Sequence, residues 1–156
     1  MVKHGAPRLN VDATGYRVAV IAGSWHTTVI QGLIDGATTT LEASGATHQL
    51  ISVAGSFEIP LAAQTALANG YDAAVCLGVI IRGDTPHFDF VADAVTSGLT
   101  RVQLDEGKPV GFGILTVDND AQALDRAGLA GSQESKGQEA AEAALQLGLT
   151  VAQLTE

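Results

Sequence analysis

Short apolar runs alternate along this chain with longer segments of helical periodicity, and this alternation limits the fold more than any other feature. Four runs rich in Val, Ile and Ala are predicted strands, at residues 17–23, 47–54, 72–81 and 109–115. Their apolar residues are mostly continuous, which indicates burial on both faces, as in a parallel sheet. We therefore predict an α/β protein, a three-layer sandwich with a central four-stranded parallel sheet and right-handed crossovers.

The segments between and after these runs are predicted helices, at residues 27–44, 61–68, 87–105, 119–127 and 135–147. Gly45 follows the first as a helix stop, and Ser135 with Gln138 gives the last the spacing of a capping box. A short run at residues 8–11 is predicted to be an extra N-terminal edge strand. We interpret residues 1–156 as a single domain with an N-terminal arm at residues 1–16.

Composition narrows the possible partners. Because 17 acidic residues outnumber 8 Lys and Arg, the net charge of −9 argues against a general affinity for nucleic acid or for an anionic membrane. Only 16% of the residues are charged and 46% are apolar, which favours a homo-oligomer that covers part of the surface. The lone cysteine Cys76, the lack of a membrane-length apolar run and a polar start without a secretory signal predict a cytoplasmic protein.

Ligands of such sheets bind beyond the carboxyl ends of the strands. The most informative segment there is residues 81–88 (IRGDTPHF), where a buried strand ends and a long helix begins. Thr85 is predicted to be the N-cap and Pro86 the first helical residue. The amides of residues 83–85 would then gather at a helix N-terminus, as a site suited to a phosphate. The carboxylate of Asp84 opposes this interpretation unless it turns away and only its amide is used.

Three side chains near the strand ends each allow two interpretations. His87 falls in the first helical turn, where the dipole disfavours an imidazolium, so it is either a neutral proton acceptor or a solvent-facing residue without a role. Trp25 follows the first strand and either stacks on a planar heterocycle or packs in the core. Glu58 lies near a helix start. It either accepts hydrogen bonds from a ligand or only stabilises the helix N-terminus by its negative charge.

Two cations lie near predicted helix ends. Arg126 is in the last turn of a short helix, where a cation suits the dipole. Lys136 is at the start of a helix, where the dipole opposes it, and that local conflict favours a functional role. The sequence has no dinucleotide-binding glycine turn, Walker loop or serine-hydrolase elbow, and its histidines and acids show no metal-ligand spacing.

Taken together, the motifs resemble those of one family. They are Trp25 and residues 55–60 (GSFEIP), 77–88 (LGVIIRGDTPHF), 112–116 (FGILT), 125–128 (DRAG) and 136–137 (KG). From about residue 17 to residue 147 the chain is similar to the 6,7-dimethyl-8-ribityllumazine synthases, the riboflavin synthase beta-chain family. The resemblance implies a flavodoxin-like topology and a transferase without cofactor or metal. That enzyme would condense 5-amino-6-(D-ribitylamino)uracil with 3,4-dihydroxy-2-butanone 4-phosphate, releasing phosphate and water, in the penultimate step of riboflavin biosynthesis.

The resemblance also implies a role for each matching residue. His87, Arg126 and Lys136 would be catalytic: His87 would move protons during imine formation and phosphate loss, and Arg126 would pair with the phosphate. The other substrate-binding residues would be Trp25, Ser56, Phe57, Glu58, Val79, Ile80, Ile81, Asp84, Thr85 and Phe112. In this family Phe112, Arg126 and Lys136 come from the neighbouring subunit, so the site would exist only in an oligomer.

Two departures from the family pattern bear on the loops and on assembly. Ala54 stands where proline commonly precedes the glycine, so this loop would be less rigid. The spacing from Arg126 to Lys136 is longer than in members that build sixty-subunit capsids, and we therefore predict a pentamer. The strand at residues 8–11 would pair with the sheet of an adjacent subunit, and association with riboflavin synthase is a further implication.

Two hypotheses of other classes compete with the synthase. One is a noncatalytic lumazine- or flavin-binding protein, which would not need His87, Arg126 and Lys136 together. The other is a cage or scaffold protein whose assembly is its purpose. A phosphoryl-receiver domain shares the layout, but it needs an acidic pair after the first strand, where Gly23 and Ser24 stand.

Overall fold

The computed structural model describes residues 11–156, whose four predicted strands form one parallel sheet. The strands are β1 (Arg17–Gly23), β2 (Thr47–Val53), β3 (Ala73–Ile81) and β4 (Val110–Val117). Their spatial order is β2-β1-β3-β4. This arrangement confirms the predicted α/β class with its parallel sheet. The strand predicted at residues 8–11 begins outside the described residues.

Helices cover both faces of the sheet. Those of the described residues are α1 (Thr27–Ala43), α2 (Ile59–Ala68), α3 (His87–Glu106), α4 (Asp120–Asp125) and α5 (Lys136–Leu154), with a 3₁₀ turn, Ser56–Glu58, before α2. The α1 and α5 helices pack together on one face, and α2 and α3 pack together on the other, which gives the predicted three layers. Within residues 11–156, every helix is too short or too polar to cross a membrane.

The two central strands supply both halves of the core. On β1, Val18 and Val20 pack toward α1 and α5, whereas Ile21 packs toward α2 and α3. All three side chains are fully buried, and the burial of each stabilises the fold by about 1.5–3 kcal/mol. The continuous apolar character of β1 and β3 thus follows from contact with a helical layer on each side.

The edge strand β2 behaves differently, and the prediction that it is buried on both faces is wrong. Its residues are all exposed or half-buried, and Leu50 is 49% exposed. The reason is position, because β2 lies at the edge of the sheet and pairs with β1 alone among the described strands. Its apolar residues therefore leave surface that the described part of the chain does not cover.

The helix α3 begins at His87, as the predicted range 87–105 has it, but its N-cap lies one residue later than predicted. Pro86 is the cap residue and the helix begins at His87, so the assignment of Thr85 as N-cap is wrong. The Thr85 side chain still contributes to the turn, because its Oγ1 accepts a hydrogen bond from the His87 N–H at 3.4 Å.

The last helix also differs from its prediction at both ends. Ser135 precedes α5 as predicted, but the capping box is wrong, because the Gln138 amide donates to Glu142 Oε1 at 3.4 Å. The helix continues past residue 147 to Leu154. Gly148 does not stop it; this glycine allows Tyr16 to pack on the helix, where an added Cβ would lie 2.8 Å from the tyrosine ring.

Candidate functional site

An open cavity of about 700 Å³ lies beyond the carboxyl ends of β1, β2 and β3. Its volume is that of a typical small-molecule site. Most of the residues predicted for the site line it: Trp25, Ser56, Phe57, Glu58, Val79, Ile80, Ile81, Thr85 and His87. Three segments distant in sequence therefore meet at this edge of the sheet.

Trp25 is a surface residue of the cavity rather than a core aromatic. Its side chain is 65% exposed, so the alternative of burial in the core is wrong. The indole lies against the backbone of Gly55, where an added Cβ would be 2.7 Å from Cζ3 of the ring. His26 follows in a left-handed conformation, with φ 61°, and ends the turn before α1. The indole thus rests on a glycine and also lines the cavity.

The loop between β2 and α2 is held by hydrogen bonds within itself and to β1. Glu58 Oε1 accepts the Gly55 N–H at 2.9 Å, and the Ser24 N–H donates to the Ala54 carbonyl at 3.0 Å. Ser56 is buried against Gly78, a position where an added Cβ would overlap the serine hydroxyl. The Glu58 carboxylate keeps lone pairs for further donors, since it accepts up to about four hydrogen bonds.

The end of β3 presents backbone groups to the cavity. Pairing between β1 and β3 ends at Leu77, whereas pairing between β3 and β4 continues to Ile81. Among the described residues, positions 78–81 therefore pair on one side only. Unpaired N–H and C=O groups at the edge of a strand recognise a planar polar ligand without any charge.

The 83–86 loop (Gly83, Asp84, Thr85 and Pro86) joins the end of β3 to α3 and is exposed. Its first three amides donate to no acceptor within residues 11–156. Gly83, Thr85 and His87 line the cavity, whereas Asp84 does not. The loop therefore offers free amide donors beside an exposed imidazole, with the Asp84 carboxylate outside the lining.

The remaining predicted residues lie outside the cavity of their own chain. Phe112 is 46% exposed on β4. Arg126 caps the carboxyl end of α4, as the dipole argument predicts, and its guanidinium donates to the Gln122 carbonyl at 3.0 Å. Lys136 is the first residue of α5.

Two carboxylates organise these cations into a cluster. Glu134 is nearly buried and lies 2.9 Å from Lys136 Nζ and 3.8 Å from Arg126 Nε, while Glu139 lies 3.1 Å from Lys136 Nζ. Partial burial by itself lowers the pKa of Lys136, but the hydrogen bonds and charges of Glu134 and Glu139 outweigh it and raise the pKa. Since these carboxylates explain a lysine at a helix start, its position alone is not an argument for function.

Several cavity residues were missed by the sequence reasoning. Phe88 and Val91, near the start of α3, are half-buried and line the cavity, with Phe90 and Ala94 beside them. Helical periodicity marks one apolar stripe and does not say where a core ends and a cavity begins. Within residues 11–156, no group of three or more His, Cys, Asp or Glu is placed to hold a metal ion.

The fold and the cavity agree with what comparison with known proteins shows. Fold and cavity together define an α/β protein with a small-molecule site at the carboxyl edge of a parallel sheet. The family model described as 6,7-dimethyl-8-ribityllumazine synthase matches residues 15–151. The chain therefore belongs to the 6,7-dimethyl-8-ribityllumazine synthase family, as its motifs predicted.

Relatives of that name are similar over nearly the whole chain. The 6,7-dimethyl-8-ribityllumazine synthase of Leifsonia xyli subsp. xyli is 59% identical over 143 residues, which are 90% of each chain. That of Kocuria rhizophila is 55% identical and covers 97% of this chain and 99% of its own. That of a Nocardioides species is 54% identical and covers 99% of this chain and 97% of its own. The predictions of an enzyme and of a lumazine synthase are thereby confirmed.

Proposed function

We propose that the cavity is the place where this enzyme condenses 5-amino-6-(D-ribitylamino)uracil with 3,4-dihydroxy-2-butanone 4-phosphate. The products are 6,7-dimethyl-8-ribityllumazine, phosphate and water, in the penultimate step of riboflavin biosynthesis. One observation carries the proposal: an exposed indole, a one-sided strand edge and a row of free amides beside an imidazole meet in a single cavity. These are the groups that a flat heterocycle and a phosphorylated ketone require.

The pyrimidine would lie between Trp25 and the end of β3. The exposed face of the indole stacks on the ring. The backbone of residues 79–81 pairs with the uracil edge, since that strand edge is open toward the cavity. The ribityl chain runs toward Ser56, Phe57 and Glu58, where the carboxylate accepts from a hydroxyl.

The phosphorylated ketone would lie at the start of α3. The free amides of Asp84 and Thr85 hold the phosphate at a helix N-terminus, where the dipole favours an anion. Asp84 as a whole lies outside the cavity lining, so the part proposed for it is limited to its backbone amide beside Gly83 and Thr85, which do line the cavity. His87 then moves protons as the amine attacks the carbonyl to form the imine and as phosphate leaves.

The site would be completed by a second copy of the chain, in a pentamer. Phe112, Arg126 and Lys136 lie away from the cavity of their own chain, which fits the family resemblance, in which they come from a neighbouring subunit. There Arg126 and Lys136 would bring cations to the phosphate. Large apolar side chains left exposed on one chain, such as Phe57, Phe90 and Leu61, support such an assembly. Pairing of residues 8–11 with a neighbour's sheet, association with riboflavin synthase and a cytoplasmic location stay predictions from the sequence.

An assay with both substrates tests the proposed function. Purified protein is mixed with the ribitylaminouracil and the phosphorylated butanone, and lumazine fluorescence and released phosphate are followed together. We expect one phosphate for each lumazine formed. Tight binding of lumazine without turnover would contradict the proposal and favour a noncatalytic binding protein.

A further inference from the structure

We propose that Arg82 is a positioning residue that holds the 83–86 loop in shape from both of its ends. The inference rests on the proposed function, in which this loop binds the phosphate of the ketone. Arg82 does not line the cavity, so it acts on the substrate only through the loop and through α3. Nothing in the sequence pattern singled out this arginine.

The contacts of Arg82 join three elements. Its N–H donates to the Val117 carbonyl at 2.9 Å, and its Nε donates to Asp118 Oδ1 at 3.0 Å, which fixes the end of β3 to the end of β4. The guanidinium also lies 3.5 Å from Asp89 Oδ1 and 4.4 Å from the centre of the Phe88 ring. One side chain therefore ties the residue before the loop to the first turn of the helix after it.

The loop itself carries few constraints of its own. Its residues are exposed, an added Cβ at Gly83 would meet no atom within 4 Å, and the hydrogen bond from the His87 N–H to Thr85 Oγ1 is long, at 3.4 Å. Its shape must therefore come largely from where its ends are held. We call Arg82 with its contacts to Asp118, Asp89 and Phe88 the clamp. Since Phe88 lines the cavity while its ring contacts Arg82, the clamp also positions part of the cavity wall.

The chemistry of the clamp suits arginine and not lysine. A planar guanidinium can stack on an aromatic ring while its edges reach two carboxylates, whereas an ammonium is a compact point charge. Arg82, Asp89 and Asp118 are each half or more exposed, and exposed ion pairs contribute little to global stability. Loss of the clamp should therefore disturb the loop without unfolding the protein.

The test compares Arg82→Lys and Arg82→Gln with the control Arg101→Gln. Arg101 lies on α3, pairs with Asp105 at 3.1 Å and does not line the cavity. We expect both Arg82 variants to raise KM for the phosphorylated ketone about tenfold, because small misplacements at a reacting site are costly. The KM for the pyrimidine and the melting temperature should stay close to those of the control, and Lys should not rescue. Equal changes in both KM values, or kinetics like those of the control, would overturn the proposal.

Titration with inorganic phosphate separates this proposal from the proposed function. If the wild-type protein makes no lumazine, the proposed function fails, and phosphate affinity still decides the role of Arg82. Weaker phosphate binding by Arg82→Gln than by Arg101→Gln supports the clamp. Equal affinities, or a wild-type protein that binds no phosphate, would overturn it.

Discussion

Two loops at the same edge of the sheet are built in opposite ways. The loop after β2 is tied by its own groups, with Gly55 bonded to Glu58 and Ser56 buried behind it. The 83–86 loop is exposed and is held from outside by Arg82. In the proposed function, the first loop forms a wall for the heterocycle within one chain, whereas the 83–86 loop needs Arg82 for its shape and cations from a neighbouring subunit. The comparison suggests that a single chain preforms the pyrimidine half of the site and leaves the phosphate half incomplete.

Removal of the imidazole should have the largest effect. We expect His87→Ala to lower kcat by about 10²–10⁴-fold, the usual contribution of a positioned general acid or base. Some turnover should remain, because the cavity still holds the two reactants together. Steady-state kinetics would measure this, with His48→Gln as the control, since His48 lies on β2 beside Glu42 and outside the cavity. An unchanged kcat would remove His87 from the mechanism.

Loss of Arg126 should weaken the binding of the phosphorylated ketone and leave the binding of the pyrimidine nearly unchanged. We expect Arg126→Ser to raise KM for the phosphorylated ketone by about 10–100-fold, the loss of a charge-assisted hydrogen bond. The KM for the pyrimidine should change far less. Separate KM values for the two substrates give the answer, and Arg101→Gln is the matched control for a lost surface charge. Equal loss of both affinities would contradict the assignment.

A pair of glycine variants sharpens the contrast between the loops. An alanine at Gly55 would press on the Trp25 ring, from which its Cβ would lie 2.7 Å, whereas an alanine at Gly83 would meet no atom within 4 Å. We expect Gly55→Ala to raise KM for the pyrimidine about tenfold by displacing the indole. Gly83→Ala should change that KM much less. The two values come from titrations of the pyrimidine substrate, and a reversed order would contradict the proposed division of the site.

The smallest effect concerns stability at high pH. Partial burial alone would lower the pKa of Lys136. The hydrogen bonds and charges of Glu134 and Glu139 outweigh this effect and raise the pKa above its ordinary value of 10.5. A raised folded-state pKa means stabilisation that is present below 10.5 and is lost as the pH rises through the higher folded value. We therefore expect the difference in melting temperature between the wild type and Lys136→Met to stay constant from about pH 8 until the pH reaches 10.5, and to shrink as the pH rises further.

The control for this pH series is Arg101→Gln, because a guanidinium does not titrate in that range. Its difference from the wild type should stay constant over the same interval. A Lys136→Met difference that stays equally constant would show that the ammonium draws no stability from the two carboxylates.

The strands and the strand-end segments could be predicted from the sequence because both depend on local pattern. The run at residues 17–23 matches β1 residue for residue, since both faces of that strand are buried. The exposure of β2 was missed, although Thr47, His48, Gln49 and Ser52 interrupt its apolar residues and are a local signal of an exposed strand. The strand order then gives the reason, because it places β2 at an edge of the sheet.

For the site, the local sequence pattern located the segments that line the cavity. It missed the side chains whose contacts join two different strands or helices. Trp25 and His87 follow strands and could be found by position alone. The clamp by Arg82 depends on Asp118, which is distant in sequence and comes near only because β3 and β4 are neighbours. The pairing of Arg126 with Glu134 likewise depends on how the chain turns between α4 and α5.

A subunit-mixing experiment tests most directly the claim that each site is shared between neighbouring chains. His87→Ala and Arg126→Ser subunits are co-expressed, and native mass spectrometry verifies that they form mixed oligomers. A site in which His87 comes from one variant and Arg126 from the other is intact, so random mixing should restore about a quarter of the wild-type kcat/KM for the phosphorylated ketone, a quantity that each variant alone lowers. Activity of the mixed oligomers no greater than that of the two variants measured separately would contradict the account.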